Sequence, residues 1–466
     1  MLALELIDSG LLLARRRGDG SEVLAEAPGL AVLDDDRTRT GREAAERVRL
    51  MPLLANTNFW RGLSTEQLTR PSRLARTTAD IAFVQAEALL GPYKAQGESV
   101  LLAVPAGYGR EQLALLLGVI NETGVRVAGL VDAGLAACSL EAAPARALHL
   151  DLELHQAILT VLEYAGGERP GLKRSRYEIA LRHGVLDLQQ TLMQFIAETF
   201  IRKTRFDPLH DASTEQRLVD SLPAWLGELR EQERITLTMQ FGDRPLEVEI
   251  EREQLIAALE PHYVELLRLV QGARVAGMQI QLRLAPRIAV FPGLVERFGT
   301  LRDCEVRLLP HGAAALGTLE YEAAISRPDA LALVYHLPIP RAAGEESAPA
   351  PAEATPAPLR PTHLLFQGRA WRISEHPLVI GWSVAEQRRA LQLPSSSPGL
   401  SRSHCTVVRR NGAVMVEDHS TYGSYVNEER VAGRTALTVG DRLRLGSPGV
   451  TLELIQLVND DGAPQD

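Results

Sequence analysis

The chain has 466 residues, 45% hydrophobic and 23% charged, with a formal net charge of -9. That length suits two or three domains of ordinary globular composition. The acidic balance argues against a general nucleic-acid binder, which needs a basic face. Cys138, Cys304 and Cys405 are far apart and odd in number. They fit neither a zinc site nor a disulfide framework, and predict reduced, buried thiols in a cytoplasmic protein. No apolar run approaches the roughly 20 residues of a membrane span, so no membrane insertion is expected. Glu5 and Asp8 interrupt the stretch where a signal peptide would lie.

In chain order, residues 99–105 (Ser-Val-Leu-Leu-Ala-Val-Pro) read as a buried strand and residues 111–123 as a helix with apolar residues at helical spacing. Residues 125–130 read as a short strand and 132–139 as a short helix. Residues 147–152 and 156–162 look like hairpin strands, and 186–203 and 254–270 like strong helices. Residues 288–291 (Ile-Ala-Val-Phe) read as a buried strand, and Pro292-Gly293 turns into a helix over 294–298. Strands alternating with helices indicate an α/β domain.

Residues 326–361 form a linker, densest in Pro and Ala from Pro338 to Pro358. Its prolines disfavour ladders and helices and stiffen an extended chain. Within it, Thr355 precedes Pro356; a kinase acting there would create a tethered phosphothreonine. Beyond it, short β-prone runs dominate: 362–366, 370–373, 379–380, 405–408, 413–417, 442–445 and 451–454. Asn411-Gly412 and Val439-Gly440-Asp441 punctuate them as turns. Many strands without helix signals suggest a sandwich.

The order of segments from residue 1 to 325 resembles the actin-like ATPase domain of DnaK-type heat-shock chaperones. Residues 100–139 look like that family's strand, Val-Pro-Ala turn, helix, strand and first connecting helix, residues 186–270 like its helical lobe, and residues 310–317 (Pro-His-Gly-Ala-Ala-Ala-Leu-Gly) like its second connecting helix. The resemblance implies an α/β actin-like (ribonuclease-H-like) two-lobed domain. Nothing resembles the family's substrate-binding domain. The phosphate loops depart from the pattern. Asp8-Ser9-Gly10 runs into Leu11-Leu12-Leu13 where hydroxyls are expected, and Asp151-Leu152-Glu153-Leu154 replaces Asp-x-Gly-Gly. The adenosine-side glycine run is reduced to Phe291-Pro292-Gly293. Glycine lets a backbone cradle phosphate; bulk and a carboxylate do not. Asp8, Gly10, Asp151 and Gly293 are therefore vestigial nucleotide-binding positions. ATP with magnesium is at most a weak ligand, and the domain reads as a pseudo-ATPase.

Residues 362–458 resemble a forkhead-associated (FHA) domain, an all-β sandwich that binds phosphothreonine peptides. Residues 459–466 are a tail. The match rests on Ile380-Gly381, on Leu400-Ser401-Arg402-Ser403-His404, on residues 418–427 (Asp-His-Ser-Thr-Tyr-Gly-Ser-Tyr-Val-Asn) and on residues 437–446. By resemblance Ser401, Arg402, Thr421 and Tyr422 form the phosphopeptide site, and Gly381, His404, Gly423 and Asn427 hold the loops. The chain departs from the family at two points. Trp382 follows Gly381 where the family has an arginine, and Tyr422 stands where it has an asparagine. Arg388 and Arg389 are candidates to restore the lost charge.

Together these readings describe a cytoplasmic adaptor. Its FHA domain recruits a phosphorylated or otherwise matched protein, and its actin-like domain is a degenerate nucleotide-binding scaffold. The alternatives are a chaperone-like ATPase regulated by its FHA module, and a filament or assembly scaffold. No catalytic or metal-ligating set stands out.

Overall fold

The computed structural model describes residues 1–466 apart from Asp19, 275–277, 328–330, 343–360, 367–368, 385–388, 394–398, 411–412, Glu428, Ala432, 447–448 and 456–466. The chain divides into two compact units, Met1–Glu345 and Glu346–Asp466. Thr355, Arg388 and the Asn411-Gly412 turn lie outside the described residues.

The first unit is built on two six-stranded sheets with the same internal order. In one, Leu2–Glu5 pairs antiparallel with Leu11–Arg17, which pairs with Gly20–Ala27; on its other side Leu2–Glu5 runs parallel to Ser99–Val104, which runs parallel to Arg126–Asp132. In the other, Arg146–Leu152, Gln156–Ala165 and Gly171–Leu181 form the antiparallel meander. Arg146–Leu152 then pairs parallel with Ile280–Leu284, which pairs parallel with Cys304–Leu308. Strands flanked by parallel neighbours are buried on both faces and read as continuous apolar runs, as in Ser99–Val104.

Two short helices, Ala133–Ala137 and Ala313–Glu320, pack between the sheets. Their alanines permit a close approach. At Gly317 the approach is closest, since a Cβ there would lie 2.0 Å from the Ala136 carbonyl oxygen. A large insertion, Val185–Thr204, Ala212–Glu231, the hairpin of Arg234–Phe241 and Arg244–Glu251, and Arg252–Gly272, shares an apolar core with the second sheet.

Two expectations require correction. Residues 288–291 are not a strand. Pro286–Val290 is a 3-10 turn in which Ile288 and Phe291 are buried while Val290 is 39% exposed, so the run buries at helical spacing. Pro286 at its start pre-sets the required φ. The strand itself lies earlier, at Ile280–Leu284. The linker also begins later than residue 326. Leu333–Val334 extends the first sheet and His336–Leu337 the second. Ala143 then exchanges backbone hydrogen bonds with Pro340 (2.8 Å) and Ala342 (2.9 Å). Pro338 and Pro340 are tolerated there because edge positions need no ladder donor.

The second unit is a sandwich of a six-stranded and a five-stranded sheet around one apolar core. Leu364, Leu443, Leu452 and Leu454 face Ile380, Val407, Val414 and Val416 across it, all at most 1% exposed. Alternation along each strand sends these residues inward.

Candidate functional site

In the second unit, two loops meet at one rim. The first, residues 399–404, is anchored by Leu400 in the core and by the His404 amide, which donates to Ile380 O (2.7 Å). The second, residues 418–424, is wound around Asp418. Its carboxylate accepts from the Ser420 amide (3.1 Å) and from the hydroxyls of Ser420 (2.8 Å) and Ser424 (2.9 Å). Although burial works against ionisation, these hydrogen bonds bring the Asp418 carboxyl below its usual range. Gly423, at φ +85°, donates to Ser420 Oγ (2.7 Å) and turns the loop back.

His404 joins the loops from beneath. The Ser401 amide donates to its Nδ1 (3.0 Å), so Nε2 carries the proton and donates to Gly423 O (3.1 Å). The ring is fully buried, and burial lowers its pKa, so it stays neutral. Above it, the Thr421 amide donates to Ser401 Oγ (3.1 Å). A hydroxyl has one donor and two acceptor sites; here an acceptor is used, and among the described residues the proton meets no acceptor. Arg402, Thr421 and Tyr422 lie exposed on the same rim, Tyr422 by 53%. Asn427 adopts a left-handed φ of 49°. It braces the following turn through Asp441 Oδ1 (2.8 Å) and the Arg442 amide (3.0 Å).

The expectation that Arg389 restores the lost charge is not met. Its guanidinium is committed to Arg372 O, at the end of the Arg369–Arg372 strand, and to Ser374 Oγ and His376 O in the loop before the Leu378–Gly381 strand.

In the first unit, Asp8 and Asp151 come together beside Arg287. Arg287 lies between them and the first strand, 2.8 Å from Glu5, 3.3 Å from the Asp151 carboxylate and 3.2 Å from Ser9 Oγ. The two loops also bond to each other. The Leu154 amide donates to Asp8 Oδ1 (2.7 Å), and Ser9 Oγ donates to Leu152 O (2.5 Å). Leu152 is buried in the core of the second sheet, and Leu154 packs with Leu30, Val32 and Ala44. Beside Gly10 stands the Glu26 carboxylate, 2.8 Å from where a Cβ would lie.

Burial raises the pKa values of Glu5 and Asp151, opposed by Arg287. Burial also raises those of Asp8 and Glu153, which repel one another. Gly293 does not join this group. At φ +81° it starts the helix Leu294–Gly299 and lines a separate cavity of about 600 Å³ with Ile256, Glu260 and Arg297.

Arg287 escaped the sequence reading. Its partners are 136 and 282 residues away, so no local spacing signals it. Of the three thiols expected to be buried, Cys304 departs from the expectation. Cys138 and Cys405 are buried and Cys304 half-buried, and none is paired. Burial pushes the Cys138 thiol up to about 11. Among the described residues no helix is long and apolar enough to cross a membrane.

A family model for the FHA domain matches residues 378–446. No curated protein matches the chain. The matched span runs from the strand that ends at Gly381 to Gly446, and contains both rim loops. The chain thus carries a C-terminal FHA domain, a module of phosphopeptide-mediated protein interaction.

Proposed function

We propose that the protein is an adaptor whose FHA domain captures a phosphothreonine-bearing protein at Ser401, Arg402, Thr421 and Tyr422. The observation that carries this reading is the state of Ser401, whose hydroxyl is fixed in place by the Thr421 amide yet keeps its proton available. A hydroxyl and an exposed guanidinium on one rim suit a phosphate dianion, because hydrogen bonds to charged groups are the strong ones. The test is fluorescence anisotropy of phosphothreonine and unmodified peptides on the full chain. Phosphate-dependent binding that Ser401→Ala weakens roughly tenfold or more is expected. Equal binding of both peptides would overturn the phosphate-dependent reading.

The first unit serves in this proposal as an actin-like scaffold that works without nucleotide. Two sheets that share a five-strand order support the two-lobed reading. Arg287 supports the loss of nucleotide chemistry. A guanidinium neutralised by two carboxylates takes the place of amide donors, and the loop amides and hydroxyl spend their hydrogen bonds on one another. Titration calorimetry of ATP with magnesium is expected to give no saturable heat. Micromolar binding lost in Asp8→Ala would restore the ATPase alternative.

A further inference from the structure

The inference concerns Trp382 and rests on the phosphopeptide reading above. The strand end carrying Trp382 is locked to the Ser401 loop. The Trp382 amide donates to Ser401 O (3.4 Å) and the Ser383 amide to Arg402 O (3.1 Å). Gly381 permits this approach, since a Cβ there would lie 2.0 Å from the Arg402 carbonyl oxygen. The Arg402 guanidinium carbon then stands 5.8 Å from the centroid of the Trp382 ring. Trp382 itself is half-buried and packs against the sandwich core, so its ring is a fixed surface. Among the described residues, the Arg402 side chain has no carboxylate partner and no hydrogen bond.

The chemistry of the partner decides what such a contact does. A carboxylate would hold Arg402 equally well, but would neutralise it and repel a phosphate. An aromatic face attracts the cation through its quadrupole and leaves the charge uncompensated. It also leaves the guanidinium donors, which lie in the ring plane of the fork, open to a ligand. A long exposed arginine otherwise loses rotamer entropy when it closes on phosphate.

We propose that Trp382 is a positioning residue, an uncharged platform that pre-orients Arg402 toward the phosphate. This makes Arg402 the main cationic contact at a rim whose strand end supplies none. Tryptophan at this position then tunes recognition instead of abolishing it.

The probe is a fluorescein-labelled peptide pool with one fixed phosphothreonine and randomised flanks, measured on the full chain beside the same pool with unmodified threonine. Trp382→Leu is expected to weaken phosphothreonine binding about two- to fivefold, the size of an exposed cation–π contact. Trp382→Phe should fall between the two. On an Arg402→Gln background, Trp382→Leu should add nothing, because the cation it positions is gone. If Trp382 only packs, the leucine variant loses the same factor on both backgrounds, and the proposal is overturned. Trp382→Phe keeps the test valid if the leucine variant fails to fold, since a phenylalanine that costs nothing on the Arg402 background also overturns it. Binding by the parent that Ser401→Ala abolishes but neither tryptophan variant changes defeats this inference alone. No phosphate-dependent binding by the parent defeats the functional reading beneath it.

Discussion

Arg287→Met isolates the contribution of the buried charge cluster in the first unit. The parent holds Glu5 (4% side-chain exposure) and Asp151 (9%) against one guanidinium at 2.8 and 3.3 Å. Removing the arginine leaves two buried carboxylates without a counter-charge, and breaking a buried pair in this way costs about 3–5 kcal/mol. In a unit of this size that is a fall in melting temperature on the order of 5–10 °C, measured by differential scanning calorimetry on the full chain near pH 7.5. The pH dependence identifies the cause. Burial already raises the folded pKa values of both carboxyls above their unfolded values, and loss of Arg287 raises them further. A carboxyl raised on folding contributes stability that is present below its unfolded pKa and is lost as pH rises through its folded pKa. The deficit of Arg287→Met should therefore shrink toward pH 5 and grow toward pH 8. Adding Glu5→Gln and Asp151→Asn should restore most of it at neutral pH. An Arg287→Met protein as stable as the parent at both ends of that range would refute the argument.

Other outcomes follow from single contacts. His149 is buried with its pKa lowered to about 4, so the unfolded chain binds a proton first as pH falls below about 6.5. His149 by itself contributes a loss of about 3 kcal/mol between there and pH 4, opposed by the buried carboxyls whose pKa values are raised, and His149→Gln should remove that contribution in chemical denaturation series. Gly317→Ala drives a methyl against the Ala136 carbonyl and should cost about 1–3 kcal/mol, read as a lower melting temperature of the first unit. Asn427→Ala removes two hydrogen bonds and strains a left-handed position. The FHA domain should lose about 1–3 kcal/mol, seen by tryptophan fluorescence of Trp371 and Trp382. Asn427→Gly should lose less, because glycine accepts that φ.

Periodicity and turn chemistry are local, and what they govern was legible in the chain. The strand-and-helix alternation of the first unit, its helices near 186–203 and 254–270, and the β-only character beyond the linker all follow from spacing within a few residues. So does the FHA rim, because Ser401, His404, Thr421 and Gly423 sit in two contiguous motifs joined by one hairpin. Where a local signal was ambiguous, tertiary packing decided. Residues 288–291 carry an apolar run that suits a strand equally well, and the proline before it together with burial at every third residue made it a turn. Pro338 and Pro340 suit a linker, but the two sheets had open edges that accept them. Arg389 had the right charge, but a nearer strand end and loop offered three acceptors. The platform under Arg402 needed a strand end and a loop brought within hydrogen-bonding distance, about twenty residues apart in the chain.

Sequence alone determined that the chain holds an α/β part, a proline-rich segment and a hydroxyl-rich FHA rim, because each is written in neighbouring residues. Only the tertiary structure decided what fills the place between the two sheets. In the proposed reading, a glycine missing from a loop marks a lost cradle but does not say what stands in its place. Arg287, Glu5 and Asp151 become one charge cluster only when two strands and a 3-10 turn, spread over most of the first unit, are folded together.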